Sequence, residues 1–134
     1  MASGKVNQGT TEILLQYSSS DGAFLENVPC ITYKNPNIFF YQLRIYKVGN
    51  VVFVNGMCEG YNSHDFSDGD ILLSLSDEIK PLAGIYSCYL LNVNYATFTN
   101  RSIVINSTGN LIFRVSEGTG KIISNRICIS YPIA

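Results

Sequence analysis

Apolar residues along this chain recur at every second position, in short runs broken by Gly, Asn, Asp and Ser. The clearest case is Ile103 to Val115. Two apolar runs there flank Asn106-Ser107-Thr108-Gly109-Asn110. Gly109 and Asn110 tolerate the positive φ that a tight reversal demands. Ile103 and Ile105 share one face of the first arm. Leu111, Phe113 and Val115 share one face of the second, with Arg114 opposite. Alternation around a turn predicts a β-hairpin with one buried side.

The same grammar runs through the rest of the chain. Residues 1–9 read as a loose lead-in, and residues 10–134 as a single β-sandwich domain. Thr10 to Tyr17 reads as a first strand and 18–22 as a turn. Phe24 to Tyr33 carries Pro29, which suits an edge strand because proline cannot donate to a ladder. In Ile38 to Val48, strict alternation puts Phe40, Gln42, Arg44 and Tyr46 on one face and Phe39, Tyr41, Leu43 and Ile45 on the other. Gly49-Asn50 breaks that run and Val51 to Met57 returns as the partner arm. Apolar residues on both faces of 38–57 predict a strand pair covered by a core on one side and a neighbouring subunit on the other.

Glu59 to Asp70 reads as a polar loop and Ile71 to Leu75 as a short strand. Ser76 to Lys80 fits one helical turn, stopped by Pro81. Ile85 to Phe98 reads as one long strand with a bulge near Leu90-Leu91. Glu117 to Gly120 turns the chain into a last strand, with Ile123, Ile127, Ile129 and Tyr131 facing one way and Arg126, Cys128 and Ser130 the other. No segment holds a helical period over three turns. The predicted fold is all-β, an antiparallel sandwich of jelly-roll type, with an immunoglobulin-like sandwich second. The chain has no Trp, which the immunoglobulin core would use.

Composition narrows the chemistry. Charged residues are only 14% of the chain and net charge is −1, with no basic run, which argues against phosphate-driven nucleic-acid binding. A neutral polar surface suits sugars or a protein neighbour. No apolar run reaches the ~20 residues of a membrane span, and no membrane insertion is expected. The start lacks the apolar core of a signal peptide. It reads as an ordinary cytoplasmic start, or as an added Met on a fragment of a longer chain. Cys30, Cys58, Cys88 and Cys128 are widely spaced with no C-x-x-C pair, so a zinc site of common spacing is not expected; small buried free thiols are the first reading and disulfides the alternative.

Tyr61 to Asp70 holds the only His. Asp65, Asp68 and Asp70 offer oxygen ligands without the EF-hand order. His64 beside Asp65 lacks the nucleophile elbow and geometry of a hydrolytic triad. A solvated turn is one reading of this loop. The other is a ligand-binding loop in which Tyr61 stacks on a sugar face while Asn62, His64 and Asp65 hydrogen-bond hydroxyls. Tyr86, Tyr89 and Tyr95 read as half-buried strand rings with wet hydroxyls, and Phe39, Phe40 and Tyr41 as interface aromatics. Asn100-Arg101-Ser102 and Asn106-Ser107-Thr108 match the glycosylation acceptor as chance would in a Ser/Asn-rich chain. Asp77 and Glu78 read as turn-capping acids, not as an acid/base pair.

Three pieces occur in a telling order. The first is Arg44-Ile45-Tyr46-Lys47-Val48-Gly49-Asn50-Val51-Val52-Phe53-Val54-Asn55-Gly56. The second is Leu72-Leu73-Ser74-Leu75 followed by Ile79-Lys80-Pro81. The third is Ile103 to Leu111, closing with Ile127 to Tyr131. Together they resemble the C-terminal head domains of bacteriophage tail fibres and baseplate receptor-binding proteins. Those domains often carry a v-G-n-v-V-x-v-x-G hairpin, an L-x-x-L-P-x-x-x-x-P element and an I-x-x-x-G-x-l hairpin before a final strand. The resemblance spans roughly residues 40–131, and Ser76 departs from it where the pattern has Pro. It implies a homotrimeric head that binds a host cell-surface glycan, carried by the rest of a tail fibre or baseplate in the virion and made in the host cytoplasm. It carries no catalytic residue, cofactor or metal. The alternatives are a monomeric carbohydrate-binding or structural sandwich of a larger protein, and a small β-fold hydrolase dependent on His64.

Overall fold

The period-two segments pair as antiparallel strands throughout. A computed structural model describes residues 11–16, 29–90 and 101–133. The strands are β1 (Thr11–Gln16), β2 (Ile31–Lys34), β3 (Ile38–Val48), β4 (Val51–Gly60), β5 (Phe66–Ser67), β6 (Ile71–Leu75), β7 (Tyr86–Tyr89), β8 (Arg101–Ile105), β9 (Asn110–Val115), β10 (Thr119–Gly120) and β11 (Asn125–Pro132). One sheet has the order β1-β3-β4-β11 and a second the order β2-β6-β9-β8-β7, with β5 and β10 paired as a small ribbon. The all-β antiparallel sandwich expected from the sequence is therefore present. The chain changes sheet between β1 and β2, β2 and β3, β4 and β6, and β9 and β11, while β3–β4 and β7–β8–β9 stay within one sheet. Within the second sheet the order β6-β9-β8-β7 sets three consecutive strands beside the one that precedes them, a Greek-key arrangement.

A single apolar core lies between the two sheets. Ile38, Phe40, Leu43, Ile45, Val52, Val54, Cys58, Ile127 and Tyr131 enter it from the four-stranded sheet. Leu72, Leu73, Ile103, Ile105, Leu111 and Phe113 enter from the five-stranded one. Burying each such side chain contributes about 1.5–3 kcal/mol. Tyr131 is buried too, and its hydroxyl donates to the Ile79 carbonyl at 2.6 Å, so the ring's polar tip is satisfied. The hairpin β8–β9 matches its sequence pattern: Ile103, Ile105, Leu111, Phe113 and Val115 are buried and Arg114 is exposed. At its turn Gly109 adopts φ +81, and the Asn106 side chain accepts from the Thr108 amide at 3.0 Å.

The structure corrects the alternation expected for 38–48. Tyr41 pairs with Met57 and Arg44 with Asn55, so Gln42 and Leu43 together oppose Gly56. Gln42 takes φ +56, the left-handed first position of a bulge. After this extra residue the faces exchange. Phe40, Leu43 and Ile45 point into the core, while Phe39, Tyr41, Arg44 and Tyr46 face outward.

Other expectations change at their ends. Glu59 and Gly60 continue β4, a 3₁₀ turn covers Tyr61–Ser63, and Phe66–Ser67 pairs with Thr119–Gly120, where a loop and a turn were expected. Ile123 lies outside the last strand because Ser124 turns left-handed at φ +47; Asn125 and Ile133 share the buried face instead. The single helical turn after Ser76 is a 3₁₀ turn, Asp77–Ile79. The lead-in, the turn at 18–22, residues 24–28, the Leu90-Leu91 bulge, Tyr95 and the Asn100 acceptor fall wholly or partly outside the described residues. Among the described residues no helix is long and apolar enough to cross a membrane.

Candidate ligand-binding face

The outer face of the β1-β3-β4-β11 sheet is built of rows that cross the strands. Cross-strand partners point to the same side of a sheet. Phe39 pairs with Glu59. Tyr41, Met57 and Arg126 form the next row, and Arg44, Asn55 and Cys128 the one after. Ile13, Tyr46, Phe53 and Ser130 follow. This is the second apolar face anticipated for 38–57, but only half-buried and interspersed with polar groups.

Three rings form a ledge at one end of this face. Phe39 stacks on Tyr41 at 5.8 Å between centroids, and Tyr61 leans on Phe39 at 4.9 Å. Tyr61 comes from the 3₁₀ turn after β4, where its amide donates to the Asn37 carbonyl at 2.9 Å. Tyr61 as a whole is 38% exposed. Lys34 Nζ lies 5.6 Å from the Tyr61 centroid and donates to the carbonyls of Asn35 and Ile38, which fixes that cation as part of the ledge. The Tyr41 hydroxyl meets the Ser124 hydroxyl.

Non-glycine residues with positive φ gather around the ledge. They are Gln42, Asn62, Ser63 and Ser124. Each left-handed non-glycine costs of order 1–3 kcal/mol, and such strain clusters at ligand sites. Three of these uncharged residues, Gln42, Asn62 and Ser124, are exposed; Gln42 and Asn62 follow Tyr41 and Tyr61 in the chain, and Ser124 meets the Tyr41 hydroxyl.

The four residues singled out in the sequence sit on this loop but do unequal work. Tyr61 joins the ledge and Asn62 lies exposed beside it. His64 packs edge-on against buried Phe66 at 4.6 Å, and its amide donates to the Tyr61 carbonyl at 2.9 Å. Asp65 pairs with Lys121 at 2.8 Å; the same ammonium donates to the Ser63 carbonyl at 2.8 Å. The other acids of the loop also hold its shape. Asp68 accepts from the Val115 amide and pairs with Arg114, and Asp70 accepts from the Ser67 amide at 2.8 Å. Among the described residues no cluster of His, Cys, Asp and Glu could hold a metal ion. The loop is thus a braced turn that presents Tyr61 and Asn62.

Sequence reasoning put Phe39 and Tyr41 on one face but did not join them to Tyr61, which comes from a different element, and it placed Arg44 on the opposite face because the bulge at Gln42 exchanges the faces beyond it. Arg126 was placed correctly outward, and the alternation Arg126, Cys128, Ser130 was the available signal.

The cysteines are free. Cys30 and Cys58 are buried, Cys88 is intermediate and Cys128 is exposed on the outer face. Burial pushes the Cys58 thiol well up, and pushes Cys88 up against the lowering effect of a hydrogen bond from the Cys128 backbone. No protein-family model matches this chain, and no curated protein is similar to it.

Proposed function

We propose that this chain is the non-enzymatic head domain of a bacteriophage or prophage tail fibre or baseplate protein, and that it recognises a saccharide on the host cell surface. The observation that carries the reading is the part-exposed ledge of Phe39, Tyr41 and Tyr61, with the exposed uncharged residues Gln42 and Asn62 next in the chain to Tyr41 and Tyr61 and Ser124 at the Tyr41 hydroxyl. Aromatic faces stack on the apolar face of a pyranose, and amides and hydroxyls bond its hydroxyls. His64 and Asp65 are engaged in packing and ion pairing, which favours recognition over hydrolysis.

A homotrimer fits this role, since three weak sites raise avidity without new contacts. The outer face of the five-stranded sheet suits the contact between copies. Ile71, Ile112 and Val104 form an aliphatic row across it, next to the uncharged row Tyr33, Ser74, Asn110.

Glycan-array binding by the purified protein, repeated with Phe39→Ala/Tyr61→Ala, tests the function. Retention of defined glycans that the double variant loses is expected. Retention of none by the intact protein would overturn the reading. Light scattering should give the mass of three chains.

A further inference from the structure

We propose that the saccharide taken by this face is acidic, a polymer bearing uronate carboxylates, and that Arg44 and Arg126 receive them. The inference rests on the saccharide-binding reading above and adds the ligand's charge.

The described cations divide cleanly. Lys47, Lys80, Arg114 and Lys121 each pair with a carboxylate. Lys34 is held by backbone carbonyls, and Arg101 is buried with a bond to the Lys121 carbonyl. Arg44 and Arg126 are exposed and form no ion pair among the described residues. Both lie on the outer face of the four-stranded sheet, in adjacent rows: Tyr41–Met57–Arg126 and Arg44–Asn55–Cys128. Strand spacing puts them roughly 10 Å apart across the sheet and one row, roughly 7 Å, along it.

The surroundings select the occupant. The rows of this face carry two guanidinium groups against one carboxylate, Glu59, so its net charge favours an anionic occupant. The aromatic floor asks for flat apolar surface, and the two cations ask for anions attached to it. The Arg44 guanidinium lies over the Tyr46 ring, 5.2 Å from its centroid, which holds the cation against this face. A uronate supplies both parts in one unit: a pyranose ring to lie on the aromatics and a planar carboxylate for the guanidinium fork.

The test is calorimetric titration with oligogalacturonate against a neutral malto-oligosaccharide of equal length, at low and high salt. The protein is used intact, as Arg44→Gln, as Arg126→Gln, and as the double variant. Both arginines are exposed, and an unchanged thermal midpoint confirms folding of each variant. Oligogalacturonate should bind at least about tenfold more tightly than the neutral oligomer and weaken with salt, and the double variant should lose that advantage and keep the neutral affinity. Equal affinity for both oligomers, or no loss in the double variant, overturns the inference and leaves saccharide binding standing. Competition by inorganic phosphate as strong as by galacturonate overturns the carboxylate. Equal binding of poly-glutamate overturns the sugar. Shielding of this face by self-association alone overturns the docking surface.

Discussion

A β-carbon at position 56 would stand 2.9 Å from the Cα of Leu43 and 3.1 Å from the Gln42 carbonyl oxygen, so Gly56 is the residue that lets β3 bulge toward β4. Backbone atoms cannot move aside as a side-chain tip can. Gly56→Ala should destabilise the fold by about 1–3 kcal/mol, as overpacking does, read as a lower urea midpoint. Because the bulge also sets which side Tyr41 and Arg44 face, the variant should lose ligand affinity beyond its stability loss. An unchanged midpoint would show that the bulge tolerates a β-carbon.

Thiol reactivity should follow burial. Cys128 is exposed and Cys58 fully buried with its thiol pushed far up. A thiol-disulfide reagent at mildly alkaline pH should modify Cys128 first, and Cys128→Ser should remove that phase. Cys58 should react only with global unfolding. Rapid labelling of Cys58 in the native protein would contradict the packing described.

Alkaline pH should unfold the protein earlier than its ion pairs suggest. Burial raises the Tyr131 phenol above its ordinary value of 10.0 and the Cys58 thiol above 9.0. The folded chain therefore holds these protons more tightly than the unfolded chain. Stability is full below the unfolded values and falls as pH climbs past them toward the folded ones. The urea midpoint should hold to about pH 9 and then decline, with Tyr131→Phe flattening the part above about pH 10. A midpoint constant through this window would contradict it.

The Lys121 brace should matter more for shape than for stability. Its ammonium joins Ser63 and Asp65, but both charged side chains are substantially exposed. Lys121→Met should cost less than about 1 kcal/mol, while saccharide affinity falls because the turn carrying Tyr61 and Asn62 loses its tie. Unchanged affinity would show that the turn holds itself.

The sequence pattern revealed the scaffold better than the ledge, for a physical reason. Ile103, Ile105, Leu111, Phe113 and Val115 obey the pleat without interruption, so side-chain periodicity alone locates their hairpin. The residue that reverses β3 is a glutamine, with nothing in its chemistry to announce positive φ. Strands of two residues, Phe66–Ser67 and Thr119–Gly120, are too short to show a period at all. The ledge joins Phe39 to Tyr61 and Tyr41 to Ser124 across different elements, contacts that no local pattern encodes.

The left-handed residues around the rings set opposing demands on this end of the molecule. Gln42, Asn62, Ser63 and Ser124 sit where glycine would relax the backbone, yet glycine would remove the polar groups proposed to meet a saccharide. Glycine at these positions should therefore raise stability, and under the proposed function the added endurance would weaken attachment.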